Sequence, residues 1–112
     1  FVAQNALTGK SHLVTWEDVL KMNREDYILL DVRTEEEFIN GHVAGAVNIP
    51  LDDLRGRLSS LDRNKPIVAY CQVGLRGYVA DRILSQNGFK VYNVTGGYKS
   101  AVLMNLPIEG RG

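Results

Sequence analysis

The stretch "IVAYCQVGLRGYVADRILSQNGFKVYNV", residues 67–94, decides the fold. "IVAYC" (67–71) is a short apolar run of the kind found in a strand buried on both faces. From Arg76 to Asn87 the period changes. Val79, Ala80, Ile83 and Leu84 fall on one helical face, and Gly88 supplies a left-handed residue to close the helix. "FKVYNV" (89–94) then reads as a strand again. A helix carried between two strands by short connections is a crossover, and crossovers join parallel strands.

The same alternation extends upstream. "YILLDV" (27–32) and "AVNIP" (46–50) read as buried strands, the second closed by Pro50. Between them Thr34 starts a helix with Glu37 as the reciprocal cap, and Gly41 ends it. Thr15-Trp16-Glu17-Asp18 is an earlier capping box, with Trp16, Val19 and Leu20 at helical spacing behind it. Leu51, Leu54, Leu58 and Leu61 make the stripe of another helix, broken off by Lys65-Pro66, and "GGYKSAVL" (96–103) turns into a last short one. The pattern predicts an α/β domain, a mostly parallel sheet covered by helices on both faces. No internal repeat or low-complexity segment interrupts it.

Composition bounds the partners. The chain has 112 residues, 45% of them apolar, with 13 basic and 13 acidic side chains and a formal net charge of zero. Nucleic acid and anionic membrane surfaces call for a basic face, so neither is expected. No apolar run reaches the roughly 20 residues of a membrane span. One cysteine forms no internal disulfide, which fits a reducing, cytoplasmic setting. "NVT" (93–95) matches a glycosylation acceptor by chance. Phe1 is not an initiator, and "FVAQNALTG" reads as a continuation from an upstream domain. Residues 1–12 are therefore expected to be a linker and 13–112 the domain.

Cys71, the lone cysteine, closes a strand at the carboxyl edge of the predicted sheet, where binding sites of such folds gather. A thiol reacts as its thiolate, and an ordinary thiol, with a pKa of about 8.5, is mostly protonated at neutral pH. Three features favour the anion. The loop Gln72, Val73, Gly74 and Leu75 can turn successive amide groups inward as an anion nest; a helix starts just beyond it; and Arg76 closes the ring with a permanent cation. Gly74 permits the backbone angles such a turn needs. A cation at a helix N-terminus is unfavourable by itself, so a thiolate or anionic donor is expected to balance Arg76. Four residues separate Cys71 from Arg76, one fewer than a phosphate-sized nest requires, which suits an added sulfur better than an oxyanion. Val73 and Leu75 make the loop apolar and tolerant of a soft persulfide. Tyr70 stands where phosphatases with this kind of loop carry a histidine. The whole reading requires the sulfur to face the loop amides and not an aliphatic interior.

"DVRTEEEFINGHVAGAVNIP" (31–50), "YCQVGLR" (70–76) and "VTGGY" (94–98) together resemble a rhodanese domain, a likeness running from about Leu13 to Leu106. The resemblance implies the rhodanese fold, a mostly parallel five-stranded sheet between helices. It also implies sulfur transfer, in which Cys71 takes sulfane sulfur from thiosulfate, polysulfide or a persulfide and passes it to a thiol acceptor. Asp31 and Arg33 are then supporting residues that fix the loop after their strand by ion pairing.

The start of the chain and the "YCQVGLRGYVADRIL" stretch (70–84) resemble more narrowly the C-terminal rhodanese module of flavin-dependent coenzyme A-disulfide reductases, also described as NADH-dependent persulfide reductases. That likeness implies a fused flavoprotein partner using FAD, NAD(P)H and coenzyme A. Nothing in these residues binds a flavin or nicotinamide, and no metal-ligand set is present. Where many rhodanese domains carry a tryptophan after the paired glycines, this chain has "YKSAV" (98–102), which leaves the pocket wall less bulky.

Two other readings stand beside sulfur transfer: a non-catalytic interaction module, and a phosphatase using the same kind of loop. His42, without acidic or cysteine partners in sequence, reads as a turn residue satisfied by backbone. Gly96-Gly97 reads as a tight turn bringing backbone close to the active loop.

Overall fold

The computed structural model describes residues 13–73 and 75–110. The expected linker over residues 1–12 lies outside the described residues. Strands β1 (Leu13–Val14), β2 (Ile28–Asp31), β4 (Val47–Asn48), β5 (Ile67–Tyr70) and β6 (Val91–Val94) form one sheet in the order β1-β6-β5-β2-β4. Every pairing in it is parallel. Helices α1 (Trp16–Leu20), α2 (Glu35–Asn40), α3 (Leu75–Gln86) and α4 (Gly97–Leu103) connect and cover it, with a 3-10 helix over Leu51–Ser60. Strands β3 (His42–Val43) and β7 (Ile108–Glu109) form a separate antiparallel pair.

β5 is the middle strand, and its four residues are all buried. The two-residue period of a strand sends Ile67 and Ala69 to one face and Val68 and Tyr70 to the other. The first face packs Leu30 and Val91 against Ala80, Ile83 and Leu84 of α3, Leu54 of the 3-10 helix and Leu61 just after it. The second packs Leu29 and Val94 against Trp16 and Val19 of α1 and Ala101 of α4. Each such aliphatic side chain taken from water contributes roughly 1.5–3 kcal/mol. The sheet is thus held from both sides, and its carboxyl edge stays fixed relative to the helices that start there.

The structure corrects several expectations. The fifth strand is β1, two residues pairing with β6 at the sheet edge, too short to show a period. The leucine stripe lies on a 3-10 helix and not an α-helix. Gly56, Ser59 and Ser60 weaken the α form there, while Leu51 and Leu54, three apart, share one ridge of the tighter helix. "AVNIP" is not wholly buried. β4 is an edge strand, and Val47 is exposed while Ile49 goes inside. Leu20 and Val79 are exposed too, because α1 has only five residues and the buried stripe of α3 is Ala80, Ile83 and Leu84.

Candidate active site

The site gathers where β2, β5 and the start of α3 meet. Cys71 follows directly after the middle strand, and Leu75 begins α3. Two amides of α4 hold this junction from the opposite face: Tyr98 donates to the Cys71 carbonyl at 2.7 Å, and Lys99 to the Gln72 carbonyl at 3.1 Å. In a trans peptide the N–H points opposite to the C=O. With both carbonyls turned toward α4, the Gln72 and Val73 amides turn away from it, to the side of the sheet where the Cys71 side chain lies with α3. Gly97 makes this approach possible. Its φ is +52°, and a Cβ there would overlap the Cys71 carbonyl. Trp16 Nε1 donates to the Gly97 carbonyl at 2.8 Å and locks the turn from below.

Cys71 is 1% exposed and joins the apolar cluster of Leu30, Val32, Ile49 and Ala80. This runs against the requirement drawn from the sequence, that the sulfur not lie in an aliphatic interior. Cys71 ends a strand covered by α3, so its side chain inherits the burial of that face. It is not isolated there, since it takes part in a polar or electrostatic contact. Gly74 and the side chain of Leu75 lie outside the described residues.

The other predicted residues sort into two clusters. Asp31 and Arg33, at the end of β2, form a buried ion pair, 0% and 2% exposed. Both Asp31 oxygens accept from the Arg33 guanidinium, and one also accepts from the Arg33 amide at 2.9 Å. Arg33 donates further to the carbonyl of Gly41 and to Gln72 Oε1 at 3.2 Å, and its guanidinium lies 4.1 Å from the centre of the Tyr98 ring. Burial works against its charge, but the hydrogen bond and charge of Asp31 outweigh that and raise its pKa. Gln72 is thereby tied to the end of β2. Val73 faces solvent.

Arg76, in the first turn of α3, does not stand over the loop as an unmatched cation. Its Nη1 and Nη2 donate to Glu37 Oε1 and Oε2 at 2.7 and 3.1 Å. The balancing anion expected from a thiolate or donor is supplied by Glu37. Glu37 is also the reciprocal cap of α2, accepting from the Thr34 amide at 3.0 Å. The Arg76 hydrogen bond, helped by Thr34, holds the Glu37 carboxyl down at about 2 against the opposing effect of burial. Arg76 is raised in turn, first by its Glu37 hydrogen bond and further by the charges of Glu37, Cys71 and Asp31.

Sequence reasoning gave Glu37 only its capping role. Nothing local marks the second, because its partner lies 39 positions away. Tyr98 and Lys99 were part of a quoted motif, but only their spatial approach shows that they hold the loop. Asn93, buried on β6 beneath Gly77, was also missed; among the described residues neither amide atom has a partner. His42 lies on β3 and not in a turn; its Nδ1 is 2.8 Å from the Phe38 carbonyl, as expected of backbone contact, and its Nε2 is 3.6 Å from Glu109. Ala101, near the expected tryptophan position, is buried in the lower cluster, and Val102 is exposed.

Comparison with known proteins gives one answer. Residues 15–102 match the Rhodanese-like domain family. The thiosulfate sulfurtransferase GlpE of Coxiella burnetii is 32% identical over 91 residues, 80% of this chain and 82% of its own length. An uncharacterized protein of Bacillus subtilis is 43% identical over 72 residues, and this match spans 63% of the chain but only 57% of that protein. Among solved structures, a rhodanese-related protein of Thermoplasma volcanium superposes with a TM-score of 0.82 at 32% identity, covering 89% of this chain and 99% of the other. Reduced CoADR-RHD of Bacillus anthracis superposes with a TM-score of 0.76 at 42% identity, over 84% of this chain and 17% of that one. A parallel five-stranded sheet, a lone cysteine after its middle strand and these relatives together place the chain in the rhodanese-like domain family.

Proposed function

We propose that this domain is a sulfurtransferase whose Cys71 carries sulfur as a persulfide. The single observation that carries the reading is the position of Cys71, at the carboxyl end of the middle parallel strand and just before the start of α3. The Cys71 thiolate attacks the outer sulfur of a sulfane donor. The donor's S–S bond breaks, a new S–S bond forms on Cys71, and the leaving sulfite or thiolate keeps the bonding electron pair. An acceptor thiolate then attacks the outer sulfur of the Cys71 persulfide and releases Cys71 as the thiolate. No net oxidation is needed, so the cycle requires no cofactor in this domain. Partial negative charge on the cysteine sulfurs is stabilised by inward amides and by the positive end of α3.

The narrower part of the proposal places the domain beside a flavoprotein unit that uses FAD, NAD(P)H and coenzyme A, in the cytoplasm, as the acceptor of its sulfur. The 42% identity to CoADR-RHD supports it.

The test is mass spectrometry of the protein after exposure to thiosulfate or a polysulfide. The expected result is a gain of one sulfur atom, removed by cyanide or a thiol, and absent in Cys71→Ser. The burial of Cys71 favours a second reading, an interaction module that keeps the fold without the chemistry. Failure of Cys71 to load from any sulfane donor would overturn the sulfurtransferase reading in favour of such a module, provided an aryl phosphate is not turned over either.

A further inference from the structure

Glu37 is the charged residue at the loop rim to which the sulfur-transfer cycle assigns no task. Its carboxylate is not a mobile surface group. One oxygen accepts from the Thr34 amide and hydroxyl, at 3.0 and 3.1 Å, while both oxygens grip the two terminal nitrogens of Arg76. Glu35 and Glu36 precede it in the same exposed first turn of α2. The second guanidinium bordering the loop, Arg33, is matched by Asp31. Lys99 remains, exposed to solvent on α4. An anion that approaches Arg76 therefore also approaches a fixed carboxylate. Coulomb energy scales with the product of the charges, so attraction and repulsion both double for a dianion and largely cancel.

We infer that Glu37 is a specificity-determining residue of the Cys71 site: by cancelling the attraction of Arg76 it removes the electrostatic advantage dianionic thiosulfate would otherwise hold over an organic persulfide of at most one negative charge. The inference rests on the sulfur-transfer reading above. With such a donor, Cys71 takes the outer sulfur, and the organic thiolate departs with the electron pair and is protonated by solvent. The low pKa of Glu37 keeps its charge in place throughout the neutral range.

The experiment measures loading rates from thiosulfate and from the persulfide of 2-mercaptoethanol, in the native chain and in Glu37→Gln and Glu37→Asp. Glutamine retains the side-chain oxygen that caps α2. The thiosulfate-to-persulfide rate ratio should rise about tenfold in Glu37→Gln, where the repulsion is gone, and stay near the native value in Glu37→Asp. In the native chain, thiosulfate loading should hold steady as salt shortens the screening length from about 10 Å to about 3 Å. An unchanged ratio in Glu37→Gln overturns the inference, as does an equal change with both donors, which a purely orienting role produces. A several-fold slowing of native thiosulfate loading by salt overturns it as well, even if Glu37→Gln does not fold. Loading from neither donor in the native chain defeats the sulfur-transfer reading itself, a result distinct from these.

Discussion

Two arginine–carboxylate pairs flank the Cys71 loop, and they are built differently. Asp31–Arg33 is sealed at the end of β2, with Gly41, Gln72 and the Tyr98 ring around it. Glu37–Arg76 joins α2 to α3 at the rim, with the two side chains 32% and 36% exposed. Chemistry of one kind thus performs two tasks. The buried pair sets the shape of the loop and does not tolerate the loss of one partner. The rim pair is expected to set the charge that a ligand meets and, being exposed, to contribute little to folding.

Asp31→Ala probes the difference most strongly. It leaves the Arg33 charge buried without its partner, which should cost roughly 3–5 kcal/mol in denaturant unfolding. A loss below about 1 kcal/mol would remove the distinction between the pairs. Gly97→Ala tests the frame beneath the loop. A side chain at a positive φ against the Cys71 carbonyl should cost about 1–3 kcal/mol, with slower sulfur loading. Wild-type loading in a stable Gly97→Ala protein would show that α4 does not position the loop.

Arg76→Ala should cost no more than about 1 kcal/mol of stability, as expected for a pair this exposed. It should still slow loading of Cys71, measured by mass at short times. Unfolding in place of slowing would make Arg76 a structural residue like Arg33.

The smallest effect is in acid. Glu37 is lowered from 4.5 to about 2, so its pairing stabilises the fold fully above 4.5 and is lost as pH falls toward 2. The stability difference between the native chain and Arg76→Ala should therefore be constant from neutral pH to about 5 and close below that. A difference that persists at pH 2 would assign it to packing of the Arg76 stem.

The alternation of strand and helix, the apolar run before Cys71 and the caps at Thr15, Thr34 and Gly88 were legible in the chain because each depends on neighbours a few positions apart. They are local rules of period and backbone angle, and together with the three motifs they determined the α/β class and the family. Cys71 was singled out by its place at the end of a strand that the period makes visible, while Asp31 and Arg33 were singled out through the resemblance of their motif. What lay beyond local rules was decided by packing. The two-residue strand β1 exists only because β6 offers it an edge, and β7 only because β3 does. The hold of Tyr98 and Lys99 on the loop and the capture of Arg76 by Glu37 join residues 27 to 39 positions apart, and no periodic pattern records a distance of that kind. Sequence period specifies which way a side chain faces on its own element, while the partner it meets there is set when the elements are brought together.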